Sequence, residues 1–292
     1  MLLSMTGYGR ATQSMNDKTI TIELRSLNSK YTDIRFNKLP PSYKQKEIEL
    51  RKIITAKVQR GKIDITIDIQ SHNGDDGFAL NKPLFEKYCR ELSRISNDMG
   101  IPVGDLTQAV LRLPNVVSAG NEVIDDQEWH MVEQALREAL DKFHQFRLSE
   151  GAAMEEDCQV RVNHILQYLG EVSPFEAERV TKLRNRVNQL MEEYVGKDNI
   201  DANRFEQEIL YYLEKIDVTE EKVRLEQHCQ YFLEELAKTV ELKGRKLSFI
   251  SQEMGREINT LGSKANSSDI QRLVVKMKDE LEKIKEQVAN SL

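Results

Sequence analysis

The chain is expected to fold as an α+β protein, with a small, mostly antiparallel sheet and a packed helix at the N-terminus, followed by long antiparallel helices. Three observations carry this. Ile63, Ile65, Ile67 and Ile69 alternate with Asp64, Thr66, Asp68 and Gln70, the period of a strand with one buried face. Thr19 to Leu24 repeats that alternation earlier in the chain. From Ser149 to the end only one proline, Pro174, interrupts apolar residues that recur at steps of three and four, the spacing of helices with one packed face.

Taken in order, residues 2–12 read as a strand in which Gly7 and Gly9 permit close backbone approach. Asn16-Asp17 marks a turn, Thr19–Leu24 a second strand, and Tyr31–Phe36 a third that Pro40-Pro41 closes. A helix from about Ser42 to Val58 carries Ile48, Leu50, Ile53, Ile54 and Val58, and Gly61 ends it. The isoleucine-rich strand follows and has to lie beside at least one early strand. Asn73 to Gly77 reads as a hinge, then a helix from Asn81, its N-cap, to Met99, with Gly100 as terminator. Pro102, Gly104, Pro114 and Gly120 divide the next stretch into short pieces. A helix begins at Asp125 or Asp126 and runs to about Phe146, with Trp129 as a packing anchor.

The next helix starts at Arg147–Gly151, with an offset at Gly151, and reaches toward Gly170. Pro174 restarts a helix through Val195, and residues 196–201 form a linker. Helices over Asn203–Lys215, Thr219–Leu242, Gly244 to about Gly262, and Asp269–Val288 complete the chain. Four regions result: 1–72, 73–148, 149–200 and 201–292. The long apolar-faced helices fit either arms that build an oligomer or a bundle folded back on its own chain.

Composition narrows the function. No run of eighteen apolar residues exists, so no membrane span is expected. The N-terminal Met1–Met5 lacks the basic and apolar parts of a signal peptide, and a cytoplasmic protein is expected. Cys89, Cys158 and Cys229 are too far apart for a thiolate zinc site or a disulfide framework. GxxxxGK[ST] is absent, and no GxGxxG opens a βαβ unit, which argues against nucleotide hydrolases and dinucleotide enzymes. The net charge is −6, yet residues 1–62 hold thirteen Lys/Arg against five Asp/Glu, leaving −14 on the other 230 residues. Such a split offers phosphate a local basic surface. Arg10, Arg25, Asn28, Lys30 and Arg35 fall at strand ends and, with Lys62, are the candidate phosphate-gripping groups. An ordinary solvated face fits the same residues.

Two acid-bearing clusters stand out. Glu253, Glu257 and Lys264 follow one another at steps of four and seven, so one helix face carries all three. Two carboxylates about 6 Å apart along the axis suit one hydrated divalent ion; with Arg256 and Lys264 beside them they also suit a salt-bridged surface. Upstream, Glu221, Arg224 and His228 lie at i, i+3 and i+7. Carboxylate, guanidinium and imidazole are the groups that phosphodiester cleavage requires, for charge neutralisation and proton movement. A helix surface laced with Glu–Arg pairs and one incidental histidine fits the spacing equally.

The segments SMTGYGRA, ELRSLNSKY and LRKIITAKVQRGKIDITI, then RLPNVV, RLSEG, DVTEEKVRLEQH, GRKLSFISQEM and QEMGREINTLGSKANSSDIQRLVVKMKDELEKIKEQV, resemble in order the YicC/YloC family of bacterial endoribonucleases. The resemblance spans essentially the whole chain. It implies a metal-dependent endoribonuclease acting on single-stranded or structured RNA, assembled as a ring of six copies. Pooled basic N-terminal faces would then surround an RNA channel. With it, Glu253, Glu257 and Glu221 become candidate ligands for Mg²⁺ or Mn²⁺. His228, Arg224, Glu253 and Glu257 become candidate catalytic groups, and Lys264 a phosphate contact. Association with other RNA-decay proteins is a further implied partnership. Ser248 stands where the family's GRKLDF has an acid, Asn115 stands in its LPGV, and Ala289 departs from its QVQN. An RNA-binding adaptor that presents RNA to another nuclease, and a structural oligomer of the stress response, are the alternatives.

Overall fold

Strands β1 (Gly7–Met15), β2 (Lys18–Leu27), β3 (Asp33–Lys38) and β4 (Lys62–Ser71) form a sheet ordered β1-β2-β4-β3. The computed structural model describes the chain apart from residues 16–17, 30, 59, 72–77, 101–103, 120–123, 196–201, 240–241 and 266. The turn expected at Asn16-Asp17, the hinge at 73–77, the linker at 196–201 and Lys30 lie outside the described residues.

β1–β2 and β2–β4 pair antiparallel, whereas β3 pairs with β4 in parallel. A parallel neighbour needs a crossover. A 3₁₀ turn (Pro41–Lys46) and helix α1 (Glu47–Lys57) supply it, so the single helix expected over 42–58 starts as a tighter turn. The alternating isoleucines behave as expected. Ile22 faces Ile67, Leu24 faces Ile65, and all four are buried. Burying each such side chain stabilises the fold by about 2 kcal/mol. Leu50 and Ile54 of α1, with Val132, Leu136, Leu140 and Phe143 of α4 (Asp126–Gly170), cover this face. The first strand starts at Gly7 rather than residue 2. A Cβ on Gly9 would lie 2.1 Å from the Ala139 carbonyl oxygen, so this strand passes the helix with no room for a side chain.

β5 (Phe78–Leu80) and β6 (Val117–Ala119) form a second, two-stranded sheet that periodicity over so few residues does not reveal. Between them lie α2 (Lys82–Met99) and α3 (Leu106–Leu111). Asn81 caps α2 through Leu84 N–H, and Gly100 ends it at φ 64°, as expected.

Two compact units emerge: Gly7–His144, and Met1–Thr6 with Gln145–Leu292. Their boundary falls inside α4, four residues before the 148/149 boundary read from the sequence. No break or offset occurs at Gly151, since α4 continues to Gly170. Gly151 is there for room: a Cβ would sit 1.9 Å from the Leu2 carbonyl oxygen.

The second unit contains α5 (Ser173–Val195), α6 (Ala202–Ile216), α7 (Thr219–Ala237), α8 (Gly244–Ala265) and α9 (Ser268–Ala289). α7 ends five residues earlier than expected. Asp217 Oδ1 accepts Thr219 N–H at its start. α8 does not stop at Gly262; Gly255 and Gly262 lie within it, where added Cβ atoms would meet Leu281 at 3.2 Å and Val274 at 3.0 Å. These two glycines, one heptad apart, let α9 approach. Leu225, Cys229, Phe232, Leu247, Met254, Ile258, Met277 and Ile284 share this unit's core with Val162 and Ile165 of α4. Among the described residues, no helix is long and apolar enough to cross a membrane.

Candidate functional site

Helices α7 and α8 pack side by side, and two ion pairs set their register. Lys264 Nζ lies 2.7 Å from Glu221 Oε1, and Lys246 Nζ lies 2.7 Å from Glu235 Oε1. The helices therefore run antiparallel. Glu221, His228 and Glu235 are separated by heptads on α7, so one stripe carries them. On α8 the steps from Lys246 to Glu253, Glu257 and Lys264 are seven, four and seven, again a single stripe within about 40°. The outer pairs join the two stripes at both ends. His228 is midway between Glu221 and Glu235, and Gly255 is midway between Lys246 and Lys264. The imidazole-bearing residue is thus level with the interval between Glu253 and Glu257.

The ends and the middle of this seam differ chemically. At one end Glu221 is buried and held by Lys264. At the other, Glu235 is buried between Lys238 and Lys246, and hydrogen bonds from these lysines hold its carboxyl below the usual range. In the middle, His228 and Glu257 are half-buried, and neither side chain makes a hydrogen bond or ion pair with a described residue. Glu253 is only partly matched. Arg256 Nη1 lies 2.8 Å from its Oε1 but hydrogen-bonds Oε2 at 3.1 Å. Glu253 Oε1 is buried with no hydrogen bond. The Arg256 guanidinium therefore offsets the charge of that oxygen without a well-aligned hydrogen bond to it.

Among the described residues, no three His, Cys, Asp or Glu side chains gather into a ready metal cage. The donor set instead matches a Mg²⁺-type arrangement, in which one or two carboxylates share the ion with waters and substrate phosphate. Glu257, whose side chain pairs with no described residue, and Glu253, shared with Arg256, have that chemistry. Glu221 is buried and committed to Lys264, which is seven residues from Glu257 on α8, about 10 Å along the axis. Arg224, expected beside His228, is turned to solvent and bound to Glu220 at 2.5 Å. The missed members are Glu235 and Lys246; their heptad relation to His228 and Glu253 is visible in the sequence, but it acquires meaning only once the two helices are known to be antiparallel.

Arg10, Arg25, Arg35 and Lys62 share the open face of the first sheet. Register lines up Tyr8, Arg25, Asp64 and Arg35 in one row, and Arg10, Glu23, Thr66 and Lys38 in the next. Lys62 lies on the same face beside Asp33. Arg25 stacks 5.7 Å from the Tyr8 ring and hydrogen-bonds Glu23 at 2.7 Å; Arg35 bonds Asp33 at 3.0 Å, and Lys38 pairs with Asp68. The face is therefore mixed in charge, not a uniform basic stripe. Arg10 is exposed and makes no ion pair with a described residue. Asn28 is exposed at the end of β2.

Two family models match the chain: Endoribonuclease YicC-like, N-terminal region, over residues 2–156, and Endoribonuclease YicC-like, C-terminal, over residues 172–291. The chain is 32% identical over 293 residues to the Probable endoribonuclease YicC of Clostridioides difficile (strain 630), covering 99% of each. It is 31% identical over 291 residues to the Probable endoribonuclease YicC of Haemophilus influenzae (strain ATCC 51907 / DSM 11121 / KW20 / Rd), again covering 99% of each.

Proposed function

The chain belongs to the YicC-like endoribonuclease family, and on that premise we propose that it is a metal-dependent endoribonuclease with its centre at the middle of the α7–α8 seam. The observation that carries this reading is that half-buried Glu257 and His228, neither of whose side chains pairs with a described residue, stand level on the two facing stripes. A Mg²⁺ or Mn²⁺ ion held by Glu253 and Glu257 would neutralise charge building on the scissile phosphate. His228, half-buried and untied to any described residue, moves a proton at the attacking or leaving oxygen. Arg224 and Lys264, at the edge and end of the seam, hold phosphate charge. Glu221 has a different role, keeping Lys264 in place.

RNA, single-stranded or structured, is the substrate, and Arg10, Arg25, Arg35 and Lys62 hold its phosphates on the open sheet face. Arg10→Ala removes an uncommitted cation. It is expected to weaken RNA binding uniformly across sequences and to lower the salt slope by about one counterion. An unchanged slope in a filter-binding titration would turn this face away from RNA.

The enzymatic claim is tested by incubating RNA with Mg²⁺ or Mn²⁺ and resolving the products. Glu257→Gln keeps size and polarity but removes the charge. It is expected to lower the rate by roughly two to four powers of ten while RNA affinity changes far less. Parental cleavage by this variant, with a clean nuclease-free control, would move the centre elsewhere. RNA binding without metal-dependent products would favour the adaptor reading.

A homo-oligomer, drawn as a ring of six copies in the cytoplasm, completes the proposal. Tyr194, Leu210 and Tyr211 on α5 and α6 are 82%, 60% and 52% exposed in the single chain, an apolar surface of the kind that association covers.

A further inference from the structure

A cavity of about 320 Å³ opens between α5, the last residue of α6 and the first turn of α9. Arg179, Lys182 and Arg186 line it from one face of α5, at i, i+3 and i+7. Opposite them stand Ser267, Ser268 and Asp269, at the start of a 22-residue helix whose N-cap, Ser267, makes no side-chain capping bond. The first N–H groups of such a helix carry partial positive charge toward the cavity.

Arg179 supplies an independent reason to expect a ligand. It is only 9% exposed, and its Nε is buried without a hydrogen bond. Its Nη1 donates to the Ala265 carbonyl at 2.9 Å and its Nη2 to the Ile216 carbonyl at 2.6 Å. Among the described residues no carboxylate forms an ion pair with it. Glu176 and Asp217 act on it from beyond ion-pair distance, and each holds another partner, Lys222 at 2.7 Å and Thr219 respectively. Burial accordingly draws the Arg179 pKa below its ordinary value. A buried cation with no carboxylate at ion-pair distance is expensive, and an anion in the cavity supplies a counter-charge. The other charges facing the space are Glu178, paired with Lys182 at 2.6 Å, and Asp269, 3.7 Å from Arg272. Arg186 has no ion pair with a described residue.

We propose that this cavity binds a phosphomonoester, either the terminal phosphate of an RNA strand or that of a free nucleotide. Cations converging from α5 with a helix N-terminus opposite match a dianion better than a singly charged diester, and Phe175 adds an apolar wall. Ala265, which holds Arg179, lies eight residues from Glu257 on α8, about 12 Å along the axis. An anchored strand end would therefore sit near the seam without occupying it.

The test uses the full chain and reads binding, not cleavage. By calorimetry, AMP and inorganic phosphate are titrated against adenosine. Uniformly 2′-O-methylated octamers, with and without a 5′-phosphate, form the second arm. At least one phosphomonoester is expected to bind about tenfold tighter than its hydroxyl counterpart, with that advantage lost in the Lys182→Gln/Arg186→Gln double variant. Both replaced residues are exposed, so the fold survives. An advantage confined to the octamer identifies an RNA end, and one shared by AMP identifies a free nucleotide. Equal affinities for phosphorylated and unphosphorylated probes, or an advantage that persists in the double variant, would overturn the proposal. Neither result bears on whether the seam cuts RNA.

Discussion

Gly151 shows at the scale of one residue how tertiary packing reverses a local preference. Helix propensity alone ranks alanine about 1 kcal/mol above glycine in a helix interior. Here a Cβ would lie 1.9 Å from the Leu2 carbonyl oxygen, a backbone atom with no rotamer to yield. Gly151→Ala is therefore expected to destabilise the chain by about 3 kcal/mol, read as a lower denaturation midpoint. A midpoint that rises would mean the N-terminal segment does not lie against α4. The same position marks a limit of sequence reading. Gly151 was expected to offset a helix and Gly262 to end one, because glycine is a poor helix former. Both lie inside unbroken helices, where a neighbouring segment needs the space. Gly100 was read correctly, because its role, the left-handed end of α2, depends only on local backbone geometry.

At the scale of elements, the α7–α8 pair is held at its ends by buried carboxylates and lysines. Lys238 first, then Lys246, keep the Glu235 carboxyl below its ordinary 4.5. A carboxylate with a depressed folded pKa stabilises above its unfolded value, and that contribution is lost as pH falls through the folded value. The melting temperature should therefore fall below about pH 4.5, and Glu235→Gln should flatten that part of the profile. A parallel profile in the variant would leave Glu235 with no part in acid sensitivity. The strands were legible because the β2 and β4 isoleucines alternate over long runs. The parallel β3–β4 pairing was not, since alternation says which residues face inward but not which strand lies alongside. The same holds for the seam. Glu253 and Glu257 were legible as one face of one helix, whereas the alignment of His228 with them depends on how two helices meet.

At the scale of the whole molecule, the chain matches its family over residues 2–156 and 172–291. Exposed Tyr194, Leu210 and Tyr211 on α5 and α6 lead to the expectation of a multi-copy particle in sedimentation equilibrium at micromolar concentration. A clean monomer would instead leave this apolar surface to another partner. The central claim is that the two ends of the seam hold the helices together while its middle performs the chemistry. The most direct measurement sets Glu257→Gln beside Glu235→Gln, recording metal-dependent RNA cleavage rate and melting temperature for each. The account predicts that Glu257→Gln loses two to four powers of ten in rate with its melting temperature nearly unchanged, and that Glu235→Gln melts earlier yet cuts at close to the parental rate below its transition. Equal rate losses in both variants, or full activity in Glu257→Gln, would contradict it.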